Sequence, residues 1–198
     1  MRGIRPANLP GGNRLKAHGG YFCRLEALDA RVVRLAREAF EVDGGTGDGT
    51  TLRVSVIPRR RVVRLAYETP ELEGEAGARW YEGHHALPRM LSRELNVTVH
   101  SYVLMPDEFE QVTAYGAGRR VGGELLRYDD VDIPGCGETM SDADFEKLKS
   151  RWPLGHLAYV FGVPRAMLLG MASQQCYRVA LQAGDPEELA NVLPPPAA

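Results

Sequence analysis

Two groups of alternating apolar and polar residues, divided by turn-forming glycines and prolines, constrain this chain more than any other feature. In the longer group, residues 96–105 (NVTVHSYVLM) put Val97, Val99, Ser101 and Val103 on one side. Thr98, His100, Tyr102 and Leu104 fall on the other, which is the period of two of a strand lying on a core. Pro106-Asp107-Glu108 breaks the run, 109–115 alternates again, and Gly116-Ala117-Gly118 supplies the positive-φ positions of a tight hairpin. Residues 119–128 return as a third strand, in which Gly122-Gly123 marks a bulge or a close backbone approach. The shorter group sets Leu52, Val54 and Val56 on one face of a strand over 52–57. After a turn at 58–60, Val63, Leu65 and Tyr67 face inward from its partner, 61–67.

A helix precedes each group. Over 28–40, Leu28, Val32, Leu35, Ala36, Ala39 and Phe40 form an apolar stripe behind Asp29, a residue suited to the N-cap. Over 86–95, Leu87, Met90, Leu91 and Leu95 recur at helical spacing, and Pro88 fits only in the first turn. Further along, Ser141 with Asp144 three residues on opens a helix over 141–149. Pro153 starts another over 154–161, and Gly162-Val163-Pro164 turns the chain into a third from 165 to about 182. The expected architecture is one α+β domain over 21–193: an antiparallel sheet of about five strands, helices 28–40 and 86–95 on one face, and a helical C-terminal cap within 141–183. Residues 1–20 read as an extended arm, 68–77 as an acidic link between two halves, and 194–198 as a loose tail. The repeated helix-then-hairpin order admits an internal duplication, supported only by LARE at 35–38 and LSRE at 91–94.

Composition enters where it excludes function classes. A formal charge of −2 gives no general attraction to nucleic acid or anionic membrane, so such a function needs a local patch. The first 20 residues contain no apolar signal-peptide region, and no run approaches the ~18 apolar residues of a membrane span. Three cysteines, Cys23, Cys136 and Cys176, stand far apart, a count that suits a reducing compartment. Only three of the 24 basic residues are lysine, as expected of a GC-rich bacterial coding sequence. The expected location is a bacterial cytoplasm.

No catalytic residue, metal ligand set or cofactor motif emerges. There is no GxSxG elbow and no HExxH pair, and Cys136 lies in a loop without a neighbouring base. His84, His85 and His100 lack a carboxylate or cysteine at ligand spacing. The glycine-rich 44–48 segment has neither the lysine nor the following helix of a phosphate-binding loop. What remains is arginine. Arg59, Arg60 and Arg61 crowd one hairpin tip, flanked by Arg53 and Arg64, and Arg119-Arg120 sits at another turn. Guanidinium clusters of this kind grip carboxylates or phosphates bidentately, and acidic stretches at 68–75 and 129–132 are internal competitors for them. Leu157-Ala158, Gly162-Val163-Pro164 and Leu168 have the spacing of a helix-turn-helix, but its second helix brings one arginine and an apolar run including Met167 and Met171. The leading expectation is a non-enzymatic protein-binding module of adaptor, inhibitor or immunity type. Its partner would be another protein, met through Arg59, Arg60, Arg61, Arg64, Arg119, Arg120, Met167 and Met171. A nucleic-acid regulator using 154–171 with the 59–61 arginines, and a small-molecule enzyme with a pocket around His100, Tyr102 and Asp129, are the alternatives.

Overall fold

The computed structural model describes residues 16–46, 49–106, 108–130, 141–171 and 176–181. Seven strands form one antiparallel sheet: β1 (His18–Arg24), β2 (Thr51–Ile57), β3 (Val62–Glu68), β4 (Val99–Met105), β5 (Phe109–Gly116), β6 (Arg119–Arg127) and β7 (Tyr177–Ala180). Their order is β6-β5-β4-β1-β3-β2-β7, with every described pairing antiparallel. Six helices accompany them: α1 (Ala30–Val42), α2 (Gly74–Gly83), α3 (Ala86–Glu94), α4 (Asp142–Lys149), α5 (Pro153–Phe161) and α6 (Arg165–Gly170). None of the described helices is long and apolar enough to cross a membrane.

The α+β class holds, but the sheet has seven strands rather than about five. The largest correction is β1. Residues 18–20, expected in a loose arm, begin the central strand, which joins the two expected groups of strands. Residues 1–15 lie outside the described ones. A second correction is α2, which occupies part of the segment expected to be an acidic loop and buries Gly77, Ala78 and Tyr81. The third concerns the C-terminal region. The helix expected from 165 to about 182 stops at Gly170, and 177–180 returns as edge strand β7 against β2.

Period-two alternation sorts side chains to two cores. On one face Tyr21, Cys23, Leu52, Val54, Val63, Leu65, Val99 and Val103 pack beneath α1, α2 and α3. On the other, Phe22, Val62, Tyr102, Leu104 and Val112 pack beneath α5 and α6. The helical layer is therefore on both faces, three helices on one and the C-terminal hairpin on the other. That hairpin is fastened by Glu110 of β5, whose buried carboxylate accepts from the Leu154 N–H (2.8 Å), the Arg165 guanidinium (3.0 Å) and the Tyr128 hydroxyl (3.4 Å). The expected 116–118 hairpin is present as a two-residue turn with positive φ at Ala117 and Gly118. A register irregularity opposite Ala114 and Tyr115 lies beside Gly122.

Candidate anion-binding site

The central strand does not stay paired along its length. β1 keeps β4 from His18, opposite Leu104, to Cys23, and β3 keeps β2 as far as Glu68, opposite Thr51. Between β1 and β3, however, pairing ends at Tyr21 opposite Leu65. The sheet forks there, and a cleft of about 520 Å³ is lined from one arm by Ala17, His18 and Gly19 and from the other by Ala66, Tyr67 and Glu68.

Two glycines make the fork possible. Gly20 has φ +154°, and a Cβ on it would come within 2.9 Å of the Leu65 carbonyl oxygen and 3.3 Å of the Arg64 Nε. A Cβ on Gly19 would meet the Tyr81 ring at 2.5 Å on the opposite face. Both glycines give up their side-chain space to a neighbour. The backbone groups released by the fork are satisfied from these same neighbours: the Gly19 carbonyl accepts from Arg64 Nη2 (2.5 Å), and the Tyr67 N–H donates to the Tyr81 hydroxyl (2.8 Å).

Arg64 is the distinctive residue of the cleft. It is 4 % exposed, its Nε donates to the Tyr102 hydroxyl at 2.6 Å, and its Nη1 has no partner. Among the described residues no carboxylate lies within ion-pairing distance of it. Isolating a cation this way costs several kcal/mol, and natural structures offset that with a counter-charge. Directly across from Arg64 in the β2–β3 register stands Ser55, fully buried and also without a hydrogen-bond partner. On β1, the His18 ring meets Tyr102 edge-on at 5.6 Å. Its Nδ1 lies 2.8 Å from the Lys16 carbonyl, which can only accept, so Nδ1 carries the proton and the unpartnered Nε2 is left as an acceptor. Burial, reinforced by the Arg64 charge, lowers the His18 pKa to about 4. The ring is neutral at pH 7.

The rim carries both signs. Arg178 grips Glu68 with both Nε (2.5 Å) and Nη2 (3.2 Å), holding that carboxyl below its usual range, while Arg53 approaches it at 3.7 Å. Arg53 also donates to the Cys176 sulfur at 2.9 Å. Pro70, Leu72, Ala78 and Tyr81 add an apolar wall, and Glu73 and Gly74 bring the first turn of α2 to the edge.

The eight contact residues expected from the sequence do not form one patch. Arg59 and Arg60 are exposed at the tip of the β2–β3 hairpin, at its far end from the cleft. Arg61 adopts a left-handed conformation and is spent on the Leu25 and Glu26 carbonyls. Arg64 is interior. Arg119 and Arg120 are exposed on β6, the opposite edge of the sheet, Met167 is exposed on α6, and Met171 is wholly buried in the second core. The helix that would read DNA is six residues long, and its one arginine, Arg165, is turned inward to Glu110. His100 lines a smaller cavity of about 190 Å³ with Glu124 and His156, and neither Tyr102 nor Asp129 reaches it. His84 stacks on Trp80 and His85 leans on Tyr115. Among the described residues no three metal-type side chains converge. Cys23 is buried, its thiol pushed up to about 12 by desolvation, while Cys136 and Asp132 lie outside the described residues.

Sequence reasoning missed His18, Gly19 and Gly20 because paired glycines punctuate turns far more often than strand interiors. The signal that could have found them is the alternation of Tyr21, Cys23 and Leu25 immediately after them. No protein-family model matches the chain, and neither a curated protein nor a solved structure shows significant similarity to it.

Proposed function

We propose that this chain is a binding module for a small anionic ligand, received in the fork between β1 and β3. The observation that carries the reading is Arg64: a guanidinium buried in a cleft of ligand size, with an unbonded Nη1 and no carboxylate partner. A preformed cation of this kind supplies affinity because its desolvation is already met by the fold and the incoming anion completes it. Arg53 and Arg178, which also line the cleft, support the same sign of ligand. The test is thermal unfolding against a panel of phosphate, sulfate and small carboxylates. A ligand at a hundredfold its Kd stabilises by about 2.7 kcal/mol, a readily measured rise in Tm. Arg64→Met is expected to lose this response, and Arg59→Ala/Arg60→Ala to keep it. The reverse pattern would move the site to the hairpin tip and sink the reading.

A second reading, protein recognition, rests on a different surface. Tyr159 of α5 is 82 % exposed, and Val160 and Met167 are exposed near it in the chain. Arg60 Nη1 lies 3.7 Å from the Cβ position of Gly162, so Arg60 of the hairpin tip neighbours the α5–α6 turn. Under this reading Tyr159→Glu abolishes retention of a stoichiometric protein partner and leaves the anion response intact.

A further inference from the structure

We infer that the ligand of the fork is a 2-substituted carboxylic acid, R–CH(XH)–COO⁻ with X an oxygen or a protonated nitrogen: Arg64 takes the carboxylate and His18 Nε2 accepts the neighbouring X–H. The inference rests on the anion-binding reading above and adds to it the chemistry of the group next to the charge.

The carboxylate follows from what is left of Arg64. Its Nε and one Nη2 hydrogen are committed to Tyr102 and Gly19, so Nη1 and the second Nη2 hydrogen remain. Two parallel N–H groups match the two oxygens of one planar carboxylate. Arg53 and Arg178 are offset in the cleft by Glu68 and Glu73, which leaves the single charge of Arg64 to be matched, and a monoanion matches it.

The donor follows from His18. Beside the donors of Arg64, the cleft also holds a fixed acceptor. The Lys16 carbonyl holds the proton on Nδ1, and nothing satisfies Nε2, which is buried. His18 is tied to Arg64 through shared neighbours: its ring packs on Tyr102, whose hydroxyl takes Arg64 Nε, and the next residue, Gly19, takes Arg64 Nη2. Both side chains line the same cleft. A plain carboxylate would satisfy the guanidinium and leave the imidazole nitrogen orphaned; a hydroxyl or ammonium on the adjacent carbon satisfies both. The apolar wall of Pro70, Leu72, Ala78 and Tyr81 then accommodates an apolar R group.

Calorimetric titration of the full chain with three acids of one carbon skeleton tests this: 3-phenylpropanoate, 3-phenyl-2-hydroxypropanoate and phenylalanine. One hydrogen bond to a buried acceptor predicts that at least one substituted acid binds roughly tenfold tighter than the parent. The hydroxy and amino arms identify which X is taken. His18→Phe keeps an aromatic ring against Tyr102 and removes the acceptor. It is expected to erase the preference while leaving the affinity for 3-phenylpropanoate within about twofold, and His18→Gln, which restores an acceptor, to recover part of it. Thermal unfolding of each variant verifies the fold. Equal binding of all three acids, or a preference that survives in His18→Phe, overturns the inference but leaves the anion site standing, provided Arg64→Met abolishes binding. Failure of every acid and of the inorganic anions to bind would overturn both.

Discussion

Arg64 and Gly20 are best understood as one unit. The guanidinium can pack against the glycine because no Cβ is there to crowd its Nε at 3.3 Å, and pairing with β3 ends one residue beyond, at Tyr21. Gly20→Ala therefore forces a Cβ against the Leu65 carbonyl in a backbone region that L-residues avoid. We expect it to destabilise the fold by about 2 kcal/mol in urea unfolding and to weaken the anion response as Arg64 is displaced. Arg64→Lys is not a conservative change. A lysine keeps the charge but cannot hold Tyr102 and Gly19 while presenting two further parallel donors, so ligand affinity should fall at least tenfold. Affinity retained by the lysine variant would mean that charge alone, rather than the guanidinium fork, recognises the ligand.

Elements are held to one another by a few polar contacts laid over two apolar cores. Glu110 joins β5 to the start of α5, to Arg165 of α6 and to Tyr128. Glu110→Ala leaves a largely buried Arg165 without its carboxylate and should cost about 3–5 kcal/mol, while Glu110→Leu combined with Arg165→Met should restore part of it, the Leu154 N–H still losing its acceptor. Additive losses in that double variant would refute a paired role. At the other end of β5, Ala117 sits at φ +49° in a turn that favours asparagine there. Ala117→Asn is expected to raise stability by up to about 1 kcal/mol. This hairpin was fully legible in the sequence, as were α1, α3 and strands β2 to β6, since alternation, helical stripes and turn residues agree at each. β1 was not, because its glycines answer to Tyr81 and Arg64, residues far away in the chain. Helix α2 was hidden by its acidic, glycine-bearing start, and β7 by an apolar stretch that suits a helix or a strand equally well. Of the candidate site, the sequence pointed to Arg64 as a contact residue and to Arg53 and Glu68 only as members of charge runs, all as surface residues: nothing local distinguishes an arginine facing water from one packed against a distant glycine.

At the scale of the whole molecule, His18 and His100, with His85 lowered by burial in the same sense, couple the fold to pH. Burial lowers both His18 and His100 to about 4, with the Arg64 charge adding to the effect at His18. The unfolded chain takes up these protons near pH 6.5, before the folded one does, so their stabilisation is complete above that value and is lost as pH falls toward 4. Each contributes up to about 3 kcal/mol at that limit. The buried Glu110 carboxyl, raised by desolvation, acts in the opposite sense and blunts the loss. Urea midpoints should fall between pH 6.5 and 4, with a shallower fall in His18→Phe/His100→Phe. A flat profile in the parent protein would show that these rings are not held neutral. The fork, the two cores and the central strand all bear on one proposal, that the fold keeps Arg64 desolvated for an anion to complete. The most direct measurement is the NMR signal of the Arg64 side-chain N–H groups during titration with 3-phenylpropanoate. Saturable shifts of those signals, with a midpoint matching the calorimetric Kd and without comparable shifts at Arg59 or Arg60, are the predicted result. Binding that leaves Arg64 unmoved would contradict the account.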